Sequence, residues 1–256
     1  MNRPLASDSH DMSLVSRNKV IHRWDYHFYA RKYLEVIEKL EALSSTQLHT
    51  SAFTVPLSHL SILVSQKFDP NLRDPEDTFQ YVEIGGVNVH TGEAIPTEML
   101  VREAPSRAKY VVRTDDIIVS TVRPSRNAVA LITRDLDGAV VSSGFAVLRV
   151  KEHTNPKSME YWSEDKPSVA VTPHYLFSYM KSDLARLQLE RLTTASMYPT
   201  FSRNDLLQIL VLVFRDTTGF AENIVRESQR VFQMMTQIGQ MRRGITQEFN
   251  SYLDTT

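Results

Sequence analysis

KYVVRTDDIIVSTVRPSRNAVALITRDLDGAVVSSGFAVLRV, residues Lys109 to Val150, is the stretch on which the fold turns. Four apolar, β-branched runs follow one another in it, at Lys109 to Arg113, Asp116 to Val122, Asn127 to Thr133 and Ala139 to Val150. Branching at Cβ favours extended backbone, and the intervening Pro124-Ser125 and Asp137-Gly138 are turn formers, so these runs are predicted strands. Asp137-Gly138 between two such runs predicts a hairpin closed by a two-residue primed turn, because both residues tolerate positive φ. A further strand is predicted upstream at Phe79 to Ile84, with Gly85-Gly86 and Thr91-Gly92 as breaks after it.

Outward from this block the period changes. Tyr29, Tyr33, Val36, Ile37, Leu40 and Leu43 recur at helical spacing, and Glu35 and Lys39 form an i,i+4 pair, which predicts about four turns of helix. Residues 1–20 show no sustained periodicity and read as a leader, and 151–171, with Trp162 among prolines and polar residues, reads as a surface loop. Thr172 as N-cap and Pro173 at the first helical position open a helix carrying Leu176, Met180, Leu184 and Leu187. Ser202 with Asp205 signals another helix start, continued through the apolar run to Phe214. From Gly219 to Leu253 there is no proline, and Ile224, Ser228, Val231, Met235, Ile238, Arg242, Ile245, Phe249 and Tyr252 are spaced by alternating steps of 4 and 3. That is a heptad seam with two polar interruptions, on a helix roughly 50 Å long at 1.5 Å per residue.

Composition bounds the function. A chain of 256 residues, 42% hydrophobic and 23% charged, can bury a core, and it contains no apolar run long enough to span a bilayer and no secretory-type start, so a cytoplasmic protein is expected. With no cysteine, disulfides, thiolate catalysis and Cys-type zinc sites are excluded. The net charge of -1 gives little general attraction for phosphate. Locally, however, Arg102, Arg107, Lys109, Arg113, Arg123 and Arg126 outnumber Glu103, Asp115 and Asp116, six against three, for a net +3.

In order along the chain, a series of short motifs resembles the specificity subunits of Type I restriction-modification systems. Arg23-Trp24-Asp25-Tyr26-His27-Phe28-Tyr29 before a helix is similar to that family's opening segment. Tyr81-Val82-Glu83-Ile84 with Thr91-Gly92-Glu93-Ala94-Ile95 resembles its strand and Gly-acidic-x-Ile step, and Pro105-Ser106-Arg107-Ala108-Lys109 with Asp116-Ile117-Ile118-Val119-Ser120 resembles its SRA and GDIL-S core. Asp115 stands where that pattern has glycine. Val141-Ser142-Ser143-Gly144-Phe145-Ala146-Val147-Leu148-Arg149, Pro173-His174-Tyr175-Leu176 and Pro199-Thr200-Phe201-Ser202-Arg203-Asn204-Asp205-Leu206 resemble its SSGF-VLR strand, late helix and closing step. Typical members carry two recognition domains and two helices, so this sequence looks like half of one.

The resemblance implies an α+β fold: a mixed, strand-rich target recognition domain over 21–215 with flanking helices, then one long coiled-coil helix over 216–256. It implies double-stranded DNA as ligand, read as one half of a split site, and a DNA adenine methyltransferase subunit as partner, with a restriction or translocase subunit as a further one. A heptad seam on a lone helix needs a second helix, so a homodimer is expected through Ile224, Val231, Met235, Ile238, Arg242, Ile245, Phe249 and Tyr252. Candidate DNA contacts are Arg102, Arg107, Lys109, Arg123, Ser125, Arg126 and Asn127, with Lys67 and Tyr198 at other turns, because Arg matches guanine edges and Lys serves phosphates.

No cofactor, metal site or catalytic residue is expected of this chain. Eight histidines show no HExxH or other close ligand spacing, His22 and His27 being five apart. Among the enzyme motifs, GxSxG, P-loop, GxGxxG and the Asn/Asp-Pro-Pro-aromatic step of amino-methyltransferases are all missing. Glu164-Asp165-Lys166 is the one stretch fitting a metal-dependent nuclease, which, with a coiled-coil scaffold that does not bind DNA, forms the alternative reading.

Overall fold

The computed structural model describes residues 30–45, 52–151, 171–193, 197–214 and 219–254. In chain order its regular elements are α1 (Arg31–Ser45), β1 (Ala52–Pro56), α2 (Leu57–Leu60), β2 (Ser61–Leu63), β3 (Thr78–Val82), β4 (Thr97–Leu100), β5 (Ala108–Val111), β6 (Ile117–Ser120), β7 (Val129–Leu131), β8 (Val140–Ser142), β9 (Phe145–Val150), α3 (Pro173–Lys181), α4 (Asp183–Leu192), α5 (Arg203–Leu206), β10 (Leu210–Phe214) and α6 (Phe220–Asp254). The opening motif Arg23 to Tyr29, the leader, and Glu164-Asp165-Lys166 lie outside the described residues.

Two four-stranded sheets form the body, ordered β2-β9-β6-β7 and β4-β3-β8-β5. The first is a middle layer, covered on both faces, which is why β6 reads Ile-Ile-Val-Ser with every residue buried. Its odd-numbered β6 residues, Ile117 and Val119, join Leu148, Leu131, Leu176, Met180 and Leu189 in a core under α3 and α4. Ile118 joins Ala130, Val147 and Phe145 against Val82, Val112 and Val141 of the second sheet. Strand periodicity of two thus sends alternate residues into two different cores.

Family-like motif residues turn out to brace this body. Asp116, fully buried, accepts two bonds from the Arg149 guanidinium at 2.7 Å each and one from the Arg113 amide at 2.8 Å. Asp115 has φ 70, a left-handed conformation that explains why glycine is usual there. The caps at Thr172 and Ser202 form as the residues predict, the second with the reciprocal Ser202–Asp205 pair of a capping box.

Several expectations need correction. Asp137 (φ -62, ψ 125) and Gly138 (φ 82) make a type II turn closed by the Ala139 amide on the Leu136 carbonyl, 3.0 Å, not a primed hairpin. The strands either side of it, β7 and β8, belong to different sheets. Ala139 to Val150 is likewise two strands, β8 and β9, which part at Ser143-Gly144 to enter separate sheets. The helix begun at Ser202 ends at Leu206, and Leu210 to Phe214 is a strand, β10, paired antiparallel with β1. Its Val211 and Val213 point inward, and the Gln188 side chain caps its first residue by bonding both the Leu210 amide (2.8 Å) and carbonyl (3.0 Å). The helix predicted over Pro173 to Leu187 is broken at Ser182, whose ψ of 159 ends α3 and whose hydroxyl caps α4.

Helix α6 spans 35 residues. Its first half is seated on α3: Ile224, Val225 and Phe232 pack against the helix-side core, the Ser228 hydroxyl meets that of Ser178, and Phe232 stands edge-on to His174 and Phe177 with centroids 5.9 and 5.7 Å away. Gly239 passes so close to Glu93 that an added Cβ would lie 2.9 Å from its carboxyl carbon. A second stripe, Val231, Met234, Ile238, Met241, Ile245 and Tyr252, is exposed. At 100° per residue the two stripes are about 120° apart around the helix. The seam expected from sequence therefore merges two faces: Ile224 and Ser228 belong to the seat, Val231, Ile238, Ile245 and Tyr252 to the outward stripe, and Arg242, exposed, flanks it. The side chains of Met235 and Phe249 lie outside the described set.

Candidate nucleic-acid interface

Between β6 and β7 the chain makes a loop, Arg123-Pro124-Ser125-Arg126-Asn127, whose shape is unusual. A 3₁₀ turn at Pro124–Arg126 is bracketed by two left-handed non-glycine residues, Arg123 (φ 49, ψ 61) and Asn127 (φ 53, ψ 42). Each such residue costs about 1–2 kcal/mol, so the surroundings must hold them. Arg123 donates its amide to the Pro199 carbonyl at 2.8 Å and lays its guanidinium 5.1 Å from the Tyr198 ring centroid. Asn127 donates its side-chain amide to the Lys181 carbonyl at 2.7 Å. The Lys181 ammonium donates in return to the Asn127 carbonyl (3.1 Å) and to the Val89 carbonyl (2.6 Å). Burial lowers the pKa of that amine below the ordinary lysine value. Ser125 and Arg126, at the crest, are exposed.

Backbone hydrogen bonds carry this loop into a wider surface at one end of the two sheets. Thr121 donates its amide to Gly144, Ser143 to Arg107, and Phe201 to Thr121, at 2.9, 2.7 and 3.2 Å. Arg107, Thr121, Ser143, the 123–127 loop and the exposed Met197-Tyr198 turn are thereby neighbours. Lys109 sits in the irregularity where β5 shifts register against β8, and Lys67 bridges Tyr110 on the other side of β5. Among the described residues none of Lys67, Arg107, Lys109, Arg123 and Arg126 is ion-paired. Arg102 is set apart: it follows β4, whose end pairs with Thr78 at the opposite end of β3 from Ile84, and it is ion-paired to Glu76.

One cation escaped the sequence reading. Arg203 lays its guanidinium 4.2 Å from the Tyr110 ring centroid, donates to the Tyr110 hydroxyl at 2.6 Å and to the Val64 carbonyl at 2.7 Å, and has a buried Nε without a bond. It had registered only as part of a helix-start motif; stacking against a tyrosine 93 positions away leaves no local signal.

Among the described residues no group of three His, Asp or Glu side chains is placed to hold a metal ion, and no helix is long and apolar enough to cross a membrane. A groove of about 410 Å³ lies between α3 and α6 beside Phe177, Lys181 and Val231.

The chain matches no protein-family model, and no curated protein matches it by sequence. Among solved structures it is similar to the HsdS subunit from Thermoanaerobacter tengcongensis, with a TM-score of 0.56 and 25% identity over 82% of this chain and 50% of that one. It is also similar to a chain from a study of complex assembly and conformational transition in the type I R-M system, with a TM-score of 0.56 and 27% identity over 80% of this chain and 47% of that one. Fold and surface thus define a strand-rich domain with a basic end and a long helix seated on it. In fold the chain is similar to the specificity (S) subunits of Type I restriction-modification systems, and it spans about half the length of the solved chains it matches.

Proposed function

We propose that this chain reads one half of a split DNA target with the domain over 21–215 and, through the helix over 216–256, pairs with a second copy and docks a DNA adenine methyltransferase. The observation that carries the reading is the 123–127 loop: two left-handed residues held by fixed partners present Ser125 and Arg126 outward, beside Arg123 and Tyr198, with no carboxylate among the described residues to neutralise them. Strain kept at an exposed basic turn suits a surface pre-shaped for a ligand. Arg supplies the paired donors that match guanine O6 and N7, and Ser125 serves other base edges or phosphates, while the Asn127 side-chain amide is engaged by the Lys181 carbonyl. Lys67, Arg107 and Lys109, around β5, are assigned to phosphates; Arg102, neutralised by Glu76, has the weakest claim.

Pairing follows from the outward stripe of α6. Val231, Ile238, Ile245 and Tyr252 are spaced by seven, with Met234 and Met241 between them, an a/d pattern over roughly 30 Å of helix. Because the seat occupies another face, the rod can stay on its own domain while this stripe packs against the same stripe of a second chain. Catalysis then belongs to the partner subunit, and the complex works in the cytoplasm.

The test is duplex binding by the purified complex with its methyltransferase, followed by mapping of modified adenines. An interrupted palindrome is expected, with binding lost on Arg123→Ala plus Arg126→Ala. Retention of full target affinity by that double variant would overturn the reading and favour a scaffold role.

A further inference from the structure

We propose that Lys181 is a positioning residue for DNA reading, holding the 123–127 loop in the conformation that presents Ser125 and Arg126. The inference rests on the DNA-reading function proposed above, and it concerns a residue that touches no ligand itself.

The geometry is a two-way lock. Lys181 ends α3, and its ammonium donates to the carbonyls of Asn127 and Val89, while the Asn127 side chain donates back to the carbonyl of Lys181. One residue therefore ties the end of the 123–127 loop to the 88–92 turn and to a helix. That turn is itself stiff: the Asn88 side chain accepts from the amides of His90 and Thr91, and the Gly92 amide bonds the Asn88 carbonyl. Asn127 is the residue most in need of such a hold, being left-handed with its carbonyl turned into the protein.

An ammonium suits the task because it has three donors on a long flexible stem and no acceptor, so a single side chain can join the carbonyls of two separate turns, that of Asn127 also accepting from the Val129 amide at 2.9 Å. Among the described residues it has no carboxylate partner, and both its hydrogen bonds go to main-chain oxygens. A lysine kept in a half-buried place for two carbonyls is doing structural work at that loop, and it lies behind the crest rather than on it. The helix that carries it also carries His174, Phe177 and Ser178, which seat α6. Loop and rod are thus held by one nine-residue helix.

A positioning role has a different signature from a contact. Loss of a phosphate contact weakens all duplexes and flattens the salt dependence by about 0.9 log unit per contact. Loss of loop geometry spoils base reading while leaving the phosphate contacts in number unchanged.

The experiment uses the full chain, a target duplex selected from a randomised pool by the wild type, and a scrambled duplex of equal length. Lys181→Met is expected to bind the target about tenfold more weakly, with scrambled-duplex affinity and salt slope unchanged. Lys181→Arg, which keeps donors and reach, is expected to recover most of the loss. Lys109→Ala, a residue assigned to phosphate, serves as the contact control, lowering both affinities and flattening the slope. Should Lys181→Met fold poorly by circular dichroism, Asn127→Gly gives the same reading, because it keeps positive φ and removes only the side-chain half of the lock. Unchanged discrimination in whichever of these variants folds, or equal losses on both duplexes with a flatter salt slope, would overturn the proposal. A wild type that selects no sequence at all removes the DNA-reading function and this inference with it, whereas a discriminating wild type with an indifferent variant removes the inference alone.

Discussion

Removing the Asp116 carboxylate should come close to unfolding the domain, and the reason can be worked from its three bonds. Asp116 is fully buried in the middle sheet and accepts from Arg149 Nε and Nη2 at 2.7 Å each and from the Arg113 amide at 2.8 Å, while the Arg149 side chain retains 31% of its exposure. Asp116→Ala leaves a guanidinium facing the gap. Deleting one partner of a buried pair costs about 3–5 kcal/mol, and the water still reaching Arg149 puts this change near the lower end, about 3 kcal/mol. Arg149→Met leaves a carboxylate with no water and a single amide, so its cost falls near the upper end, about 5 kcal/mol. Against a total stability of about 5–15 kcal/mol for a typical domain, either is severe. The double variant Asp116→Ala/Arg149→Met removes both charges together and should be more stable than the sum of the single losses predicts, by about 2 kcal/mol or more. Urea unfolding of the four proteins measures this cycle. Additivity to within about 0.5 kcal/mol would refute the argument, since it would mean that neither charge depends on the other.

Ile238→Asp or Ile245→Asp, at exposed stripe positions, should convert a dimer to a monomer in sedimentation while the thermal unfolding of the domain barely moves. Gly239→Leu should push α6 away from Glu93, whereas Gly239→Ala should be absorbed by a swing of the Glu93 carboxylate. Spin labels at cysteines placed at Arg134 and Gln247, in a chain with no native cysteine, would show the altered distance in the leucine variant only. Burial lowers the pKa of His174, which packs edge-on to Phe232, so the seat favours the neutral ring; that stability is present above about pH 6.5 and is lost as pH falls through the lowered folded value. The protection of amides in the 224–232 segment, taken relative to their intrinsic exchange rates, should therefore fall between pH 7 and 5, and His174→Gln should remove that dependence. The carboxyl of Asp137 is held below its usual pKa by bonds from the amide and hydroxyl of Thr114, so its contribution is present above about pH 4 and lost as pH falls through its folded value. Asp137→Asn should remove that part of the acid limb of the stability curve.

Much of this protein is legible in the sequence wherever the determining interaction is local. The caps at Thr172 and Ser202, the strands at β3, β5, β6 and β9, the helix α1 and the length of α6 follow from propensity and periodicity over a few residues, and each stands where the residues place it. The ordered motifs suffice to indicate the family. Decisions that need a distant partner belong to the tertiary structure. Leu210 to Phe214 becomes a strand because β1, more than 150 residues earlier, offers it a ladder, and an isolated apolar run fits helix or strand equally well. Asp137-Gly138 links two sheets instead of two paired strands because β8 is paired with β3 and β5 and not with β7. The seam of α6 looks single in one dimension, yet the body covers one side of it and leaves the other open, a division visible only once α3 is in place. The same holds for the basic surface: the sequence by itself determines that Arg107, Lys109, Arg123 and Arg126 are charged and near turns, while long-range backbone bonds decide that they meet, that Arg102 is held away by Glu76, and that Lys181 stands behind the loop. Local propensity acts over a few residues, whereas sheet pairing and burial act between segments that only the folded chain brings within bonding distance.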